Sequence, residues 1–108
     1  MSRNDDQRIA DILDACRELA TVVSLRASAG ADPQILVRAA ERLLEIIGEA
    51  ANNVSEATQS QFPSVDWRNI SRLRIVLAHH YHRTDPDLIW SYAAEQAPLL
   101  SQGLSGHS

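Results

Sequence analysis

The chain has 108 residues, 44% of them apolar, only four glycines and four prolines, and a formal net charge of -4. That is the length of one domain, and scarce Gly and Pro favour long helices over a turn-rich β fold, so an all-α protein is expected. No apolar run of about 18 residues is present to cross a membrane, and "MSRNDDQR" lacks the apolar stretch of a signal peptide, which predicts a cytoplasmic protein with no membrane contact.

In chain order, four helical segments account for nearly everything. From Asp5 to Arg26, residues Ile9, Ile12, Leu13, Cys16, Leu19 and Val23 recur three and four apart, the stripe of an amphipathic helix. Cys16 is the single cysteine, so it cannot form an internal disulfide, and its helical position in "ILDACREL" suits a buried structural thiol better than a nucleophile. "SAGAD" breaks this helix. Asp32 before Pro33 predicts the next start, a capping carboxylate followed by a residue whose missing N–H is harmless at the first helical position.

The second helix is predicted from Pro33 to Thr58, burying Ile35, Leu36, Ala39, Leu43, Ile46, Ile47, Ala50 and Val54. Arg38, Glu41, Arg42, Glu45 and Glu49 occupy its solvated side, several at salt-bridging spacing. Gly48 in "EIIGEAA" is unfavourable inside a helix, which predicts a close helix crossing at that point.

After the loop "QSQFPSVD", Asp66 is expected to cap a third helix from Trp67 to Tyr81, with Ile70, Leu73, Val76, Leu77 and His80 on one apolar stripe. "RTDPD" repeats the Asp-Pro start, so a fourth helix begins at Pro86 and carries Leu88, Ile89, Trp90, Tyr92 and Ala93. Pro98 is expected to kink or restart it. Residues 104–108 are expected to fray. The sum is one helical domain over residues 1–108, an antiparallel four-helix bundle.

The charge is unevenly placed. Between Trp67 and Thr84 stand four of the ten arginines (Arg68, Arg72, Arg74, Arg83) and none of the fourteen acids, and the chain has no lysine. The stretch "RLRIVLAHHYHR" is thus a basic island in an acidic chain, a candidate phosphate site, and Arg suits bidentate phosphate contacts.

Arg74, His79 and Tyr81 form the chemically interesting group. A histidine can move a proton on or off a ribose 2′-hydroxyl near neutral pH, a guanidinium can hold the phosphate and offset charge developing on it, and a tyrosine can hydrogen-bond the phosphate or stack on a base. At about 100° per residue, Tyr81 returns to within about 20° of Arg74, whereas His79 sits about 140° away. One undistorted helix cannot aim Arg74 and His79 at one atom. Either the helix loosens near its end, or His79 of one chain meets Arg74 of another across a two-fold axis.

Two other readings stay open on these residues. His79 and His82, one turn apart, could ligate a metal with Asp85, although a third ligand at convincing spacing is missing. Structurally, His80 could pack on the apolar face, Tyr81 and Trp90 could be core aromatics, and Arg68, Arg72 and Arg83 could be solvated charges, Arg83 favoured by the helix dipole.

The chain resembles the HepT toxins of the HEPN superfamily. "RIVLAHHY" fits that family's motif of Arg, four residues, His, one residue, Tyr at Arg74, His79 and Tyr81. "LEIIGEAA", "FPSVDWRNI" and "DPDLIW" follow the family's order around it. The resemblance implies an all-helical homodimer whose two motif helices meet at a cleft, and a metal-independent endoribonuclease without cofactor, acting on RNA as the toxin of a type VII toxin–antitoxin pair. It implies Arg74 and His79 as the catalytic pair; Arg68, Arg72, His80 and Arg83, in the same basic stretch, are candidate RNA contacts on their charge and position alone. It also implies a partner like MntA, a minimal nucleotidyltransferase that uses ATP to place AMP on the motif tyrosine, here Tyr81. The nucleotide and its phosphate charge would then exclude RNA from Arg74. HEPN ribonucleases commonly follow the motif Arg with a polar residue, often Asn, and this chain has Ile75, so the resemblance equally allows a catalytically weakened binding subunit that docks the nucleotidyltransferase.

Overall fold

Asp32, Asp66 and Asp85 each cap a helix in the computed structural model, which describes residues 3–28, 30–79 and 85–105, whereas the first helix starts ahead of Asp5. Asp32 Oδ1 accepts from the Gln34 N–H at 2.9 Å, Asp66 Oδ1 from Asn69 N–H at 3.2 Å, and Asp85 Oδ1 from Asp87 N–H at 2.9 Å. The elements are α1 (Arg3–Arg26), α2 (Pro33–Asn52), a short α3 (Glu56–Gln59), α4 (Trp67–His79) and α5 (Pro86–Ser91), which passes through a π-helical turn (Tyr92–Gln96) into α6 (Ala97–Ser105). No strand occurs among the described residues, and none of the helices is long and apolar enough to cross a membrane.

The four long segments form the expected helical bundle, with α2 packed between α1 and α4, and the π turn and α6 against α1. Ile12, Leu19, Leu44, Ile47, Leu73 and Ile89 are its fully buried centre.

The second helix ends earlier than its periodicity predicts. Asn53 halts it: its Nδ2 donates to the Glu49 carbonyl at 2.8 Å and its N–H bonds the Ala50 carbonyl at 3.1 Å, tightening the final turn. Ser55 then caps α3 through the Thr58 N–H at 3.3 Å. The buried face of α2 is also rotated by a position, onto Leu36, Ala40, Leu44, Ile47 and Ala51, because α1 and α4 cover it from two sides. Ala39, Leu43, Ile46 and Ala50 flank that face, and Ile35, expected inside, is 65% exposed. In α1 the core takes Val22, with Val23 at its edge; on the fourth helix Ile89, Trp90 and Ala93 are buried and Leu88 is 36% exposed.

Pro98 acts ahead of itself. Its ring would clash with the carbonyl four residues back, and the preceding turn widens so that the Ala97 N–H reaches the Tyr92 carbonyl five residues back. The α-helix thus gives way at Tyr92 and resumes at Ala97 without a loop, the form that the expected kink or restart takes. It runs through Ser105 with Leu104 buried, whereas fraying was expected from 104; residues 106–108 lie outside the described residues.

The loop into α4 is tied down. Trp67 Nε1 donates to the Gln59 and Phe62 carbonyls at 3.1 and 3.3 Å, and the Phe62 and Trp67 rings meet edge to face at 6.2 Å. This is the physical content of the stretch "FPSVDWRNI": it fixes where the helix carrying Arg74 begins.

Candidate active site

Arg74 is placed by a glycine on another helix. A Cβ on Gly48 of α2 would lie 2.9 Å from the Arg74 backbone N and 3.2 Å from Leu73 Cβ, so only glycine permits this approach of α4 to α2. The close crossing predicted at Gly48 is therefore present, and it falls at the motif arginine.

The side chain of Arg74 is half-buried, and its Nε is shielded from water with no hydrogen-bond partner among the described residues. It lines an open groove of about 600 Å³ at the meeting of three helices, together with Arg8 from α1, Arg42, Glu45 and Glu49 from α2, and Ala78 further along α4. The groove's charges are not all free. Arg42 pairs with Glu45 at 3.2 Å, and Asp11, also at its edge, accepts from Gln7 Nε2 at 2.9 Å. Arg74 and Arg8 make no ion pair among the described residues. A half-buried guanidinium with an orphaned Nε is an unfavourable arrangement unless an anion completes it.

Of the other residues expected at the site, Arg68 and Arg72 are exposed on α4 and do not line this groove. The groove lies on the side of α4 facing α1 and α2. The backbone of α4 remains α-helical through His79, so no loosening occurs between Arg74 and His79. The His79 side chain and the whole of His80, Tyr81, His82 and Arg83 lie outside the described residues. So does the proposed His79, His82 and Asp85 metal set in its first two members.

Arg8 and the groove's carboxylates were not found from sequence. Arg8 stands at the polar edge of an amphipathic stripe, as many solvated arginines do, and no spacing relates it to Arg74. Cys16 fits its structural reading: it is 6% exposed, and burial pushes its thiol up from the ordinary 9.0 to about 11, away from a nucleophilic thiolate.

The sequence profile of the ribonuclease HepT-like family matches residues 12–105, which includes Gly48, Arg74, His79 and Tyr81. The chain belongs to this family. A candidate RNase of Methanocaldococcus jannaschii, MJ0127, is 38% identical over 61 residues, 56% of this chain and 50% of that protein. The "Probable ribonuclease HepT" of Thermococcus cleftensis is 37% identical over 59 residues, 55% of this chain and 54% of that one. A candidate RNase of Caldanaerobacter subterraneus, TTE0752, is 35% identical over 71 residues, 66% and 62% of the two chains. The chain thus spans about half the length of the first of these relatives. No solved structure matches it significantly.

Proposed function

We infer that this HepT-like chain is an endoribonuclease, and that Arg74 holds the scissile phosphate. One observation carries this reading: a half-buried guanidinium, set in an open groove, whose Nε has no partner among the described residues. Membership of the ribonuclease HepT-like family and relatives named as ribonucleases support it.

In the proposed reaction the ribose 2′-oxygen attacks phosphorus and the bond to the 5′-oxygen breaks, giving a 2′,3′-cyclic phosphate and a 5′-hydroxyl. His79 moves the proton, taken from the 2′-hydroxyl or given to the leaving 5′-oxygen, and Arg74 offsets charge on the phosphate, so neither role calls for a metal. Five positions on an unbroken helix separate these residues by about 140°, which supports a homodimeric site in which each α4 supplies one partner. Ile75, 45% exposed, and the exposed Ala78 one turn later give α4 an apolar strip suited to such pairing.

The finer reading makes the chain the toxin of a type VII toxin–antitoxin pair. Its partner would be an MntA-like nucleotidyltransferase: the Tyr81 hydroxyl oxygen attacks the α-phosphorus of ATP, pyrophosphate leaves, and AMP stays on the ring. The added phosphate then competes with RNA for Arg74.

The test is cleavage of RNA by the purified protein in EDTA. Arg74→Ala and His79→Ala are each expected to lower the rate at least about 100-fold. Parental rates in both variants would refute the assignment. A second reading, a catalytically weakened subunit that docks the nucleotidyltransferase, is favoured by Ile75 where a polar residue is usual. Because Ile75 is exposed, Ile75→Asn leaves the core intact, and a large gain in cleavage would identify a weakened enzyme.

A further inference from the structure

The groove holds a second cation, Arg8, besides Arg74. Arg8, half-buried on α1, faces the same space as Arg74 and makes no ion pair among the described residues, although Asp11 stands one turn away on its own helix. Glu45 is paired with Arg42, whereas Asp11 accepts only from the neutral amide of Gln7 among the described residues and keeps its charge, so Arg8 and Arg74 share the groove with the carboxylates of Asp11 and the exposed Glu49. Two half-buried guanidinium groups from two helices, neither in an ion pair among the described residues, line one groove and can both donate to an anionic ligand.

Arg8 lies in the N-terminal turns of α1, ahead of residue 12 where the family match begins. Those turns are anchored. Asp5, 3% exposed, accepts from the Ser55 N–H at 3.1 Å, the Ser55 hydroxyl at 2.6 Å and the Thr58 hydroxyl at 2.7 Å, across the loop that follows α2. The anchor is one helical turn before Arg8, so it fixes the height and rotation at which Arg8 meets the groove.

We propose that Arg8 is a substrate-binding residue that holds a second phosphate of a single-stranded RNA, next to the phosphate held by Arg74. This rests on the ribonuclease reading of Arg74. The strand then runs across α4 toward α1, and Arg8 contributes affinity and register without touching the scissile bond. Its charge is the operative property, because phosphate contacts are electrostatic and indifferent to base identity.

The experiment measures binding of a single-stranded 2′-O-methyl RNA, which cannot be cut at a 2′-hydroxyl, to the full chain over a range of salt. Arg8→Ala is expected to raise Kd about threefold to fivefold near physiological salt, and to lower the slope of log Kd against log salt by about 0.7, the value for one lost phosphate contact on a single strand. Arg8→Lys should restore most of both, and Arg17→Ala, on the same helix but outside the groove and paired with Asp14, should change neither. If Arg8→Ala keeps the parental Kd and slope while the parent cuts RNA, the Arg8 assignment is overturned and the ribonuclease reading stands. If the parent neither binds this RNA nor cuts its 2′-hydroxyl counterpart, both fall together.

Discussion

Gly48 and Arg74 touch backbone to backbone: a single added carbon at Gly48 would stand 2.9 Å from the amide nitrogen of Arg74. The approach sets how deep the motif arginine sits, so packing and chemistry meet at one contact between α2 and α4.

Gly48→Ala should therefore destabilise the chain even though Ala is the better helix former. The propensity gain is about 1 kcal/mol, while forcing a methyl against backbone costs about 1–3 kcal/mol, so a net loss of about 1 kcal/mol is expected. Urea unfolding would show a lower midpoint at constant slope. RNA cleavage should fall about tenfold or more through misplacement of Arg74, and a midpoint at or above the parental value would contradict the close crossing.

Arg74→Met should separate stability from activity. It keeps the buried alkyl length and removes an Nε that has no partner among the described residues, so the folded state should be unchanged or more stable by up to about 2 kcal/mol while cleavage is lost. Thermal unfolding beside a cleavage assay reads both, and a strongly destabilised variant would mean that the guanidinium has a structural partner.

Asp5→Ala should be among the more damaging changes in α1. It strands the Ser55 and Thr58 donors that now bond a buried carboxylate, for an expected loss of about 2–4 kcal/mol. Asp5→Ala combined with Thr58→Val should cost less than the sum of the two, since both break one network. Additive losses in denaturant unfolding would argue that these groups act separately.

Cys16 sets an alkaline limit. The folded thiol titrates near 11 and the unfolded one near 9.0, so the unfolded state gives up its proton first. Below pH 9.0 the thiol is protonated in both states and the stability is fully present; it declines as pH rises toward about 11 by about 1.4 kcal/mol per unit. Cys16→Ala should remove that part of the slope in unfolding measured from pH 8 to 11, which the parent should show.

Local signals carried much of the fold. Asp32, Asp66 and Asp85 were readable as caps because capping is settled within three residues, and the Gly48 crossing was readable because glycine inside a strongly periodic helix needs a packing reason. The end of α2 is not legible in its periodicity, which runs on through Val54, because it is the side chain of Asn53 turning back on the Glu49 carbonyl that stops the helix. Pro98 predicts a kink or restart but not its form as a π turn one step earlier, since proline announces a conflict without saying which turn will absorb it.

By itself the sequence determined the helical class, the caps, the basic island and the motif positions Arg74, His79 and Tyr81, all of which depend on residues near one another in the chain. Only the tertiary structure decided which face of α2 is buried, that Arg68 and Arg72 stand away from the groove, that Asp5 is buried against Ser55 and Thr58, and that Arg8 shares a groove with Arg74. Each of these depends on the packing of helices distant in sequence, where burial and charge are set by the neighbour that arrives and no spacing along the chain records which one it will be.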